Sequence, residues 1–215
     1  MERKELFFSL LNEALVKEGF EYKKSIKGFS KTENNIEYKY TFEIWPHFMK
    51  IDPSFDILIK QIEDIKKKAW GKLYFKVATV GEYKRDMYRS KFIPIDFESI
   101  SWTDTEEAVR KAVKKEIEFY YAYLKDFYMK FSDISNIDKF LNSEPYEHRV
   151  LCYVQENTYC LAIIVAKLNN NPNLKNLIEF YKPLYFKQNQ GNGRSGTVIR
   201  YRRMRYKSKT CIFNG

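Results

Sequence analysis

The chain has 215 residues, 44% hydrophobic and 17% aromatic, which is enough apolar material for one packed domain and too much for a disordered chain. Its formal net charge is +10, from 38 Lys and Arg against 28 Asp and Glu. No apolar run approaches the roughly 18 residues that a membrane span needs, and three scattered cysteines, Cys152, Cys160 and Cys211, argue against a disulfide framework.

The first residues, Met1 to Glu5, lead into an amphipathic stretch rather than the apolar core of a signal peptide, so a cytoplasmic location is expected. Residues 2–18 are predicted as a helix, because Leu6, Phe7, Leu10, Leu11, Ala14 and Leu15 form one apolar stripe. Gly19 then stands where a helix commonly ends in a left-handed residue. Short extended pieces follow at 20–24 and 26–31, with a turn at Glu33-Asn34-Asn35. In the next stretch Ile36, Tyr38, Tyr40, Phe42 and Ile44 alternate with Glu37, Lys39, Thr41 and Glu43, the pattern of a half-buried antiparallel strand. Residues 48–51 and 55–60 are two further strand candidates, with Pro53 confined to an end or an edge.

Residues 61–70 turn helical and basic at Lys66-Lys67-Lys68. Residues 73–80 are rich in strand formers and end at Gly81, and 82–102 read as irregular or as containing an edge strand. The strongest element comes next. Thr103 or Asp104 can cap it, Glu106 and Glu107 occupy its first turn, and Val109, Val113, Ile117, Tyr120, Leu124, Phe127 and Phe131 step by three and four. This predicts a helix of about 25 residues, or about 40 Å. Asp133 begins a short helix to about Leu141, and 149–168 reads as a mostly buried helix, in which Cys152 and Cys160 share a face as buried thiols. Asn169-Asn170-Asn171 ends it, and Pro172 suits the first turn of a last helix through Tyr181. Strands come early and helices late, which predicts an α+β fold: an antiparallel sheet from the N-terminal half packed against the long helix and a C-terminal helical segment. Residues 1–186 form one domain in this reading, followed by a Gly/Asn-rich turn and a basic segment at 187–215.

Few motifs carry chemistry. Gly191, Gly193 and Gly196 fit a glycine-rich phosphate loop, but Thr197-Val198-Ile199 follows where a helix is needed and no acidic residue remains downstream, so a flexible turn at 188–196 is expected. His47 and His148 are the only histidines and have no zinc spacing around them. One large class of nucleases places an Asp and a Glu-x-Lys on adjacent strands, where the carboxylates hold a metal and the Lys helps activate water. Asp64 with Glu82-Tyr83-Lys84 has tolerable spacing for this. Glu37-Tyr38-Lys39 lies on a better strand, but no Asp precedes residue 52. Trp45, Trp70 and Trp102 read as core or interface residues before base-stacking ones. No catalytic residue, metal ligand or cofactor is assigned.

The charge is not spread evenly. Residues 187–215 hold eight Lys or Arg and no Asp or Glu, whereas 1–186 hold 30 basic and 28 acidic residues. The base also changes type, from 25 Lys and five Arg in the body to three Lys and five Arg in this segment. Arg suits bidentate contact with carboxylate or phosphate. Arg200, Arg202, Arg203, Arg205, Lys207 and Lys209, interleaved with Tyr201 and Tyr206, are therefore the candidate partner-binding residues. Such a segment suits an acidic protein or the backbone of a nucleic acid.

The N-terminal order of elements resembles a loose group of uncharacterised bacterial α+β proteins known only as domains of unknown function, some thought to be toxin-immunity proteins. The likeness rests on the first helix, Gly19-Phe20, the run Lys23-Lys24-Ser25-Ile26-Lys27-Gly28-Phe29-Ser30-Lys31 and the Tyr-rich strand, with the helical 161–181 region and its Asn-Pro adding to it. The resemblance implies a non-enzymatic protein that acts through a protein partner, with immunity to a toxin as one version. A nucleic-acid-binding protein, including a metal-dependent nuclease, is the alternative.

Overall fold

A computed structural model describes residues 3–45, 50–70, 79–83, 100–101, 105–143 and 155–191. Helix α1, Arg3–Leu15, continues into a tight turn at Val16–Glu18 and stops at Gly19, whose φ of 81° is the left-handed stop that glycine permits. Strands β1 (Glu21–Lys23), β2 (Gly28–Glu33), β3 (Ile36–Trp45) and β4 (Lys50–Ile59) then form an antiparallel meander. The β2–β3 loop is Asn34-Asn35, with φ of 50° and 63°, the two left-handed residues that a tight hairpin turn requires. Gly28 is obligatory for another reason. A Cβ there would lie 2.4 Å from the Tyr40 carbonyl oxygen and 2.6 Å from Thr41 Cα.

Helix α2 (Lys60–Trp70) follows, then the short strands β5 (Val80–Tyr83) and β6 (Ile100–Ser101). Both pair antiparallel with the outer edge of β4, so six strands make one sheet in the order β1-β2-β3-β4-β5, with β6 beside β5 on β4. The two strand candidates at 48–51 and 55–60 are thus one ten-residue strand, with Pro53 inside it rather than at an end or an outer edge. The register shows why it is tolerated. The Phe42 N–H donates to the Lys27 carbonyl in the direction of β2, 3.1 Å away. Pro53, opposite Phe42, therefore turns its nitrogen away from β3. On that side β5 pairs only Ser54–Ile57 and β6 only Lys50–Ile51, so the missing donor falls in the gap between them.

The long helix is α3 (Glu106–Phe119), a wide π turn at Tyr120–Leu124, and α4 (Lys125–Phe131), without a break. Its cap is Thr105, not Thr103 or Asp104: the Thr105 side chain accepts from the Ala108 N–H at 3.2 Å. Residues 102–104 lie outside the described residues. The apolar stripe is buried throughout, apart from Ile117, which is half-buried. Helix α5 (Ile134–Asn142) starts at Asp133, whose carboxylate accepts from the Ser135 N–H. Helix α6 is described over Gln155–Leu168 and α7 over Leu174–Gly191. The last helix therefore passes Tyr181 and carries Pro183 in its interior. Residues 188–191, expected in a flexible turn, belong to it.

One face of the sheet carries the core. Phe42 meets Phe7 of α1 edge to face at 5.3 Å, Phe55 meets Phe127 of α4 at 5.0 Å, and Tyr38 meets Tyr128 at 5.2 Å. These aromatic pairs, the α1 stripe and the buried residues of α5, α6 and α7 form one continuous cluster. The antiparallel sheet, the long helix and the C-terminal helices make this an α+β protein. Among the described residues no helix is long and apolar enough to cross a membrane.

Candidate functional site

The Arg- and Tyr-rich segment singled out from charge, Arg200, Tyr201, Arg202, Arg203, Arg205, Tyr206, Lys207 and Lys209, lies outside the described residues. So do Lys84, His47, His148, Cys152, Cys211 and Trp102. The described residues concentrate polar chemistry in three places.

The first is the sheet face turned away from the long helix. Alternation along β3 puts Glu37, Lys39, Thr41 and Glu43 there, and alternation along β4 adds Asp52, Ser54 and Asp56. Register aligns them in rows: Thr41 faces Ser54, Glu43 faces Asp52, and Ser30, Lys39, Asp56 and Gly81 form one line across four strands. The Thr41 and Ser54 hydroxyls are hydrogen-bonded at 2.7 Å, and Lys39 Nζ lies 3.6 Å from a Glu37 carboxylate oxygen. Asp52 is fully buried and Ser30 is 2% exposed. Burial pushes the Asp56 carboxyl up to about 6; Lys39 pulls it down and Glu37 pushes it up again.

This face alters the reading of the Glu-x-Lys motifs. Asp64, the expected partner of Glu82-x-Lys84, is not on a strand. It lies exposed on α2, bound to Lys60 Nζ at 2.6 Å, which holds its carboxyl below the usual range. Glu82 stands opposite Phe55 in the sheet register. The grouping of Asp64 with Glu82 and Lys84 on adjacent strands is therefore not formed. Glu37-x-Lys39 instead has an Asp on the neighbouring strand, supplied by Asp56 from later in the chain. Dividing β4 at Pro53 hid this. Read as one strand, Ile51, Phe55 and Ile57 alternate with Asp52, Ser54 and Asp56, and the polar face becomes visible.

The second place is the junction of α2, β5 and α6. Lys66 Nζ donates to Glu63 at 2.6 Å and is 2% exposed, so it leaves the basic run that Lys67 and Lys68 continue in solvent. Thr79 Oγ1 donates to the same carboxylate at 3.3 Å and accepts from the Ile59 N–H at 3.0 Å, closing the end of β4. The buried Cys160 thiol is pushed up to about 12 by burial, against a downward pull from Lys66. A thiol held protonated in this way is a packing group, as expected for it, and a poor nucleophile at neutral pH.

The third is the core itself. Tyr40 donates to the Glu116 carboxylate of α3, both fully buried, and burial first, then Glu116, raises the phenol well above its ordinary range. Tyr128 donates to the Lys39 carbonyl at 2.6 Å. These bonds tie the long helix to the centre of the sheet and satisfy groups that would otherwise be costly to bury.

Among the described residues no three His, Cys, Asp or Glu stand close enough to share a metal ion. Among the described residues the polar sheet face nonetheless brings together four carboxylates, those of Glu37, Glu43, Asp52 and Asp56, with an ammonium and hydroxyls. No protein-family model matches the chain, and neither a characterised protein nor a solved structure does.

Proposed function

We propose that this chain is a non-enzymatic binding protein that acts through an acidic protein partner, with neutralisation of a toxin as one version of that role. The observation that carries the reading is the segregation of charge. A nearly balanced body ends in 29 residues with eight bases and no acid, five of the bases being Arg. Arg and Tyr are over-represented among the residues that dominate binding energy at protein interfaces. The buried ionisable groups of the helical layer support it, because Glu116 ties the long helix to Tyr40 of the sheet and Glu63, itself bound by Lys66, accepts from Thr79.

Nucleic acid is the second reading, favoured by the alternation of Arg200, Tyr201, Arg202 and Arg205, Tyr206, Lys207. A phosphate backbone would take the bases and the two tyrosines would stack.

A full-length variant with Arg200, Arg202, Arg203, Arg205, Lys207 and Lys209 changed to Gln separates these readings. Capture from the native host with cross-linking should recover a protein with the parent chain and lose it with the variant. Recovery of no protein above background by the parent chain would overturn the proposal. DNA and RNA titrations provide the second arm. Binding whose log affinity falls with log salt at about −0.9 per phosphate contacted, and which disappears in the variant, would replace the protein partner with nucleic acid.

A further inference from the structure

We infer that the free edge of the sheet pairs with a second copy of this chain, β1 against β1, antiparallel about a two-fold axis at Tyr22. Three observations carry this. First, β1 is an outer strand. It pairs with β2, and among the described residues no strand lies beyond it. All three of its residues, Glu21, Tyr22 and Lys23, are exposed. Second, the register turns the Tyr22 backbone outward. The Phe42 N–H donates to the Lys27 carbonyl, and hydrogen-bonded and non-hydrogen-bonded pairs alternate along an antiparallel ladder. Phe29, opposite Tyr40, therefore points its N–H and C=O towards β3. Tyr22, opposite Phe29, makes no ladder bond to β2, so its own N–H and C=O face away from the sheet. Third, among the described residues neither Glu21 nor Lys23 has an ion-pair partner.

The order Glu-Tyr-Lys is its own complement, and this selects the occupant. An antiparallel pair centred on Tyr22 sets it opposite Tyr22 of the second copy, and the two exchange both backbone hydrogen bonds. Glu21 then faces Lys23 of the second copy, and Lys23 faces its Glu21, in the closer, non-hydrogen-bonded positions. Parallel pairing in register would instead set Glu21 against Glu21 and Lys23 against Lys23. A slip of two residues is closed as well. The Phe20 N–H already donates to the Leu15 carbonyl, and the Lys24 carbonyl already accepts from the Lys27 N–H, each at 3.1 Å. Short charged edges ordinarily discourage pairing; in this one arrangement the same charges attract. The Tyr22 ring lies 4.9 Å from Phe8 of α1 and 5.5 Å from Phe29, so the paired tyrosines join the aromatic clusters of the two copies. The interface is isologous and closes at two copies. Three residues a side cover less than the roughly 800 Å² per partner of a stable complex, so the dimer is weak, with a dissociation constant on the order of 0.1 mM.

The test is sedimentation velocity of the full chain from about 10 µM to about 1 mM, with hydrogen exchange of the Tyr22 amide followed over the same range. A reversible dimer is expected, and the Tyr22 amide should exchange more slowly as concentration rises. Lys23→Glu and Glu21→Lys should each weaken the dimer by about tenfold or more, because each sets like charges opposite one another twice. The double variant Glu21→Lys with Lys23→Glu restores opposite charges at both positions and should recover the dimer. Both side chains are exposed, so the three variants should fold as the parent chain does, which circular dichroism checks. A chain that stays monomeric at about 1 mM, a dimer indifferent to the single exchanges, or a double variant that fails to recover it would overturn the pairing. So would a Tyr22 amide whose exchange does not depend on concentration.

Discussion

Asp138 on α5 is 3% exposed, and three asparagine amides converge on its carboxylate. Asn142 donates at 2.5 Å, Asn169 at 2.8 Å and Asn171 at 2.9 Å. Asn142 also donates to the Ala162 carbonyl at 3.1 Å, and Asn171 accepts from the Asn173 N–H at 2.9 Å, which orders the entry to α7. One carboxylate thus holds α5, the end of α6 and the start of α7. A hydrogen bond to a charged group contributes about 1.5–3 kcal/mol. Three such bonds do not add fully, because Asn169 is exposed and can turn to water. Asp138→Ala should therefore cost about 3–4 kcal/mol, mainly from Asn142 and Asn171 left half-buried without their acceptor. For a chain of this size about 2–4 °C is lost per kcal/mol, so the thermal midpoint should fall by about 6–16 °C. Asp138→Asn should cost roughly half as much, since it keeps one acceptor but turns an amide against an amide. Urea unfolding at neutral pH measures both. A double-mutant cycle of Asp138→Ala with Asn171→Ala should give a coupling of about 1 kcal/mol or more. A loss below about 1 kcal/mol for Asp138→Ala, or strict additivity in the cycle, would refute the view that this network clamps the three helices.

Two further outcomes are expected. Gly28→Ala should cost about 2–4 kcal/mol in urea unfolding, because the added Cβ meets the backbone of β3 at 2.4 and 2.6 Å and the two strands must separate; an unchanged midpoint would show that the hairpin relaxes freely. Asp56, with its carboxyl raised to about 6 when folded against an ordinary value of 3.8, is protonated more readily folded than unfolded. Its contribution is therefore greatest at low pH and is lost as pH rises from about 4 through 6. The stability of Asp56→Asn minus that of the parent chain should climb over this window, by at most about 3 kcal/mol, and then level off. A flat difference between pH 4 and 7 would contradict burial as the cause that raises this carboxyl.

Much of the architecture was legible from short-range pattern. The period of two in β3, the three–four stepping from Val109 to Phe131, Gly19 as a helix stop and Asn34-Asn35 as a turn are local properties, and each element forms where its pattern stands. Pairing was not legible. Pro53 argues against a central strand until β5 and β6 leave a gap at its nitrogen, and the apparent end of the strand concealed Asp52, Ser54 and Asp56. Asn169 and Asn171 read correctly as the end of a helix, but their acceptor lies 31 and 33 residues earlier in the chain. Lys66 looks like one of three solvated lysines until α2 docks against α6.

The sequence by itself determined the first helix, the β2–β3 hairpin and the long helix, their apolar stripes and the concentration of positive charge after Tyr185, because side-chain period and charge are counted along the chain. Only the tertiary structure decided that Asp56 faces Lys39, that Ser30 lies in the same row and that Tyr40 meets Glu116 across 76 residues. Those contacts depend on strand register and helix docking. A shift of one residue in register would move the whole polar set to the other face of the sheet, and the register is held in place by the long-range packing of Phe42, Phe55 and Tyr38 against the helices.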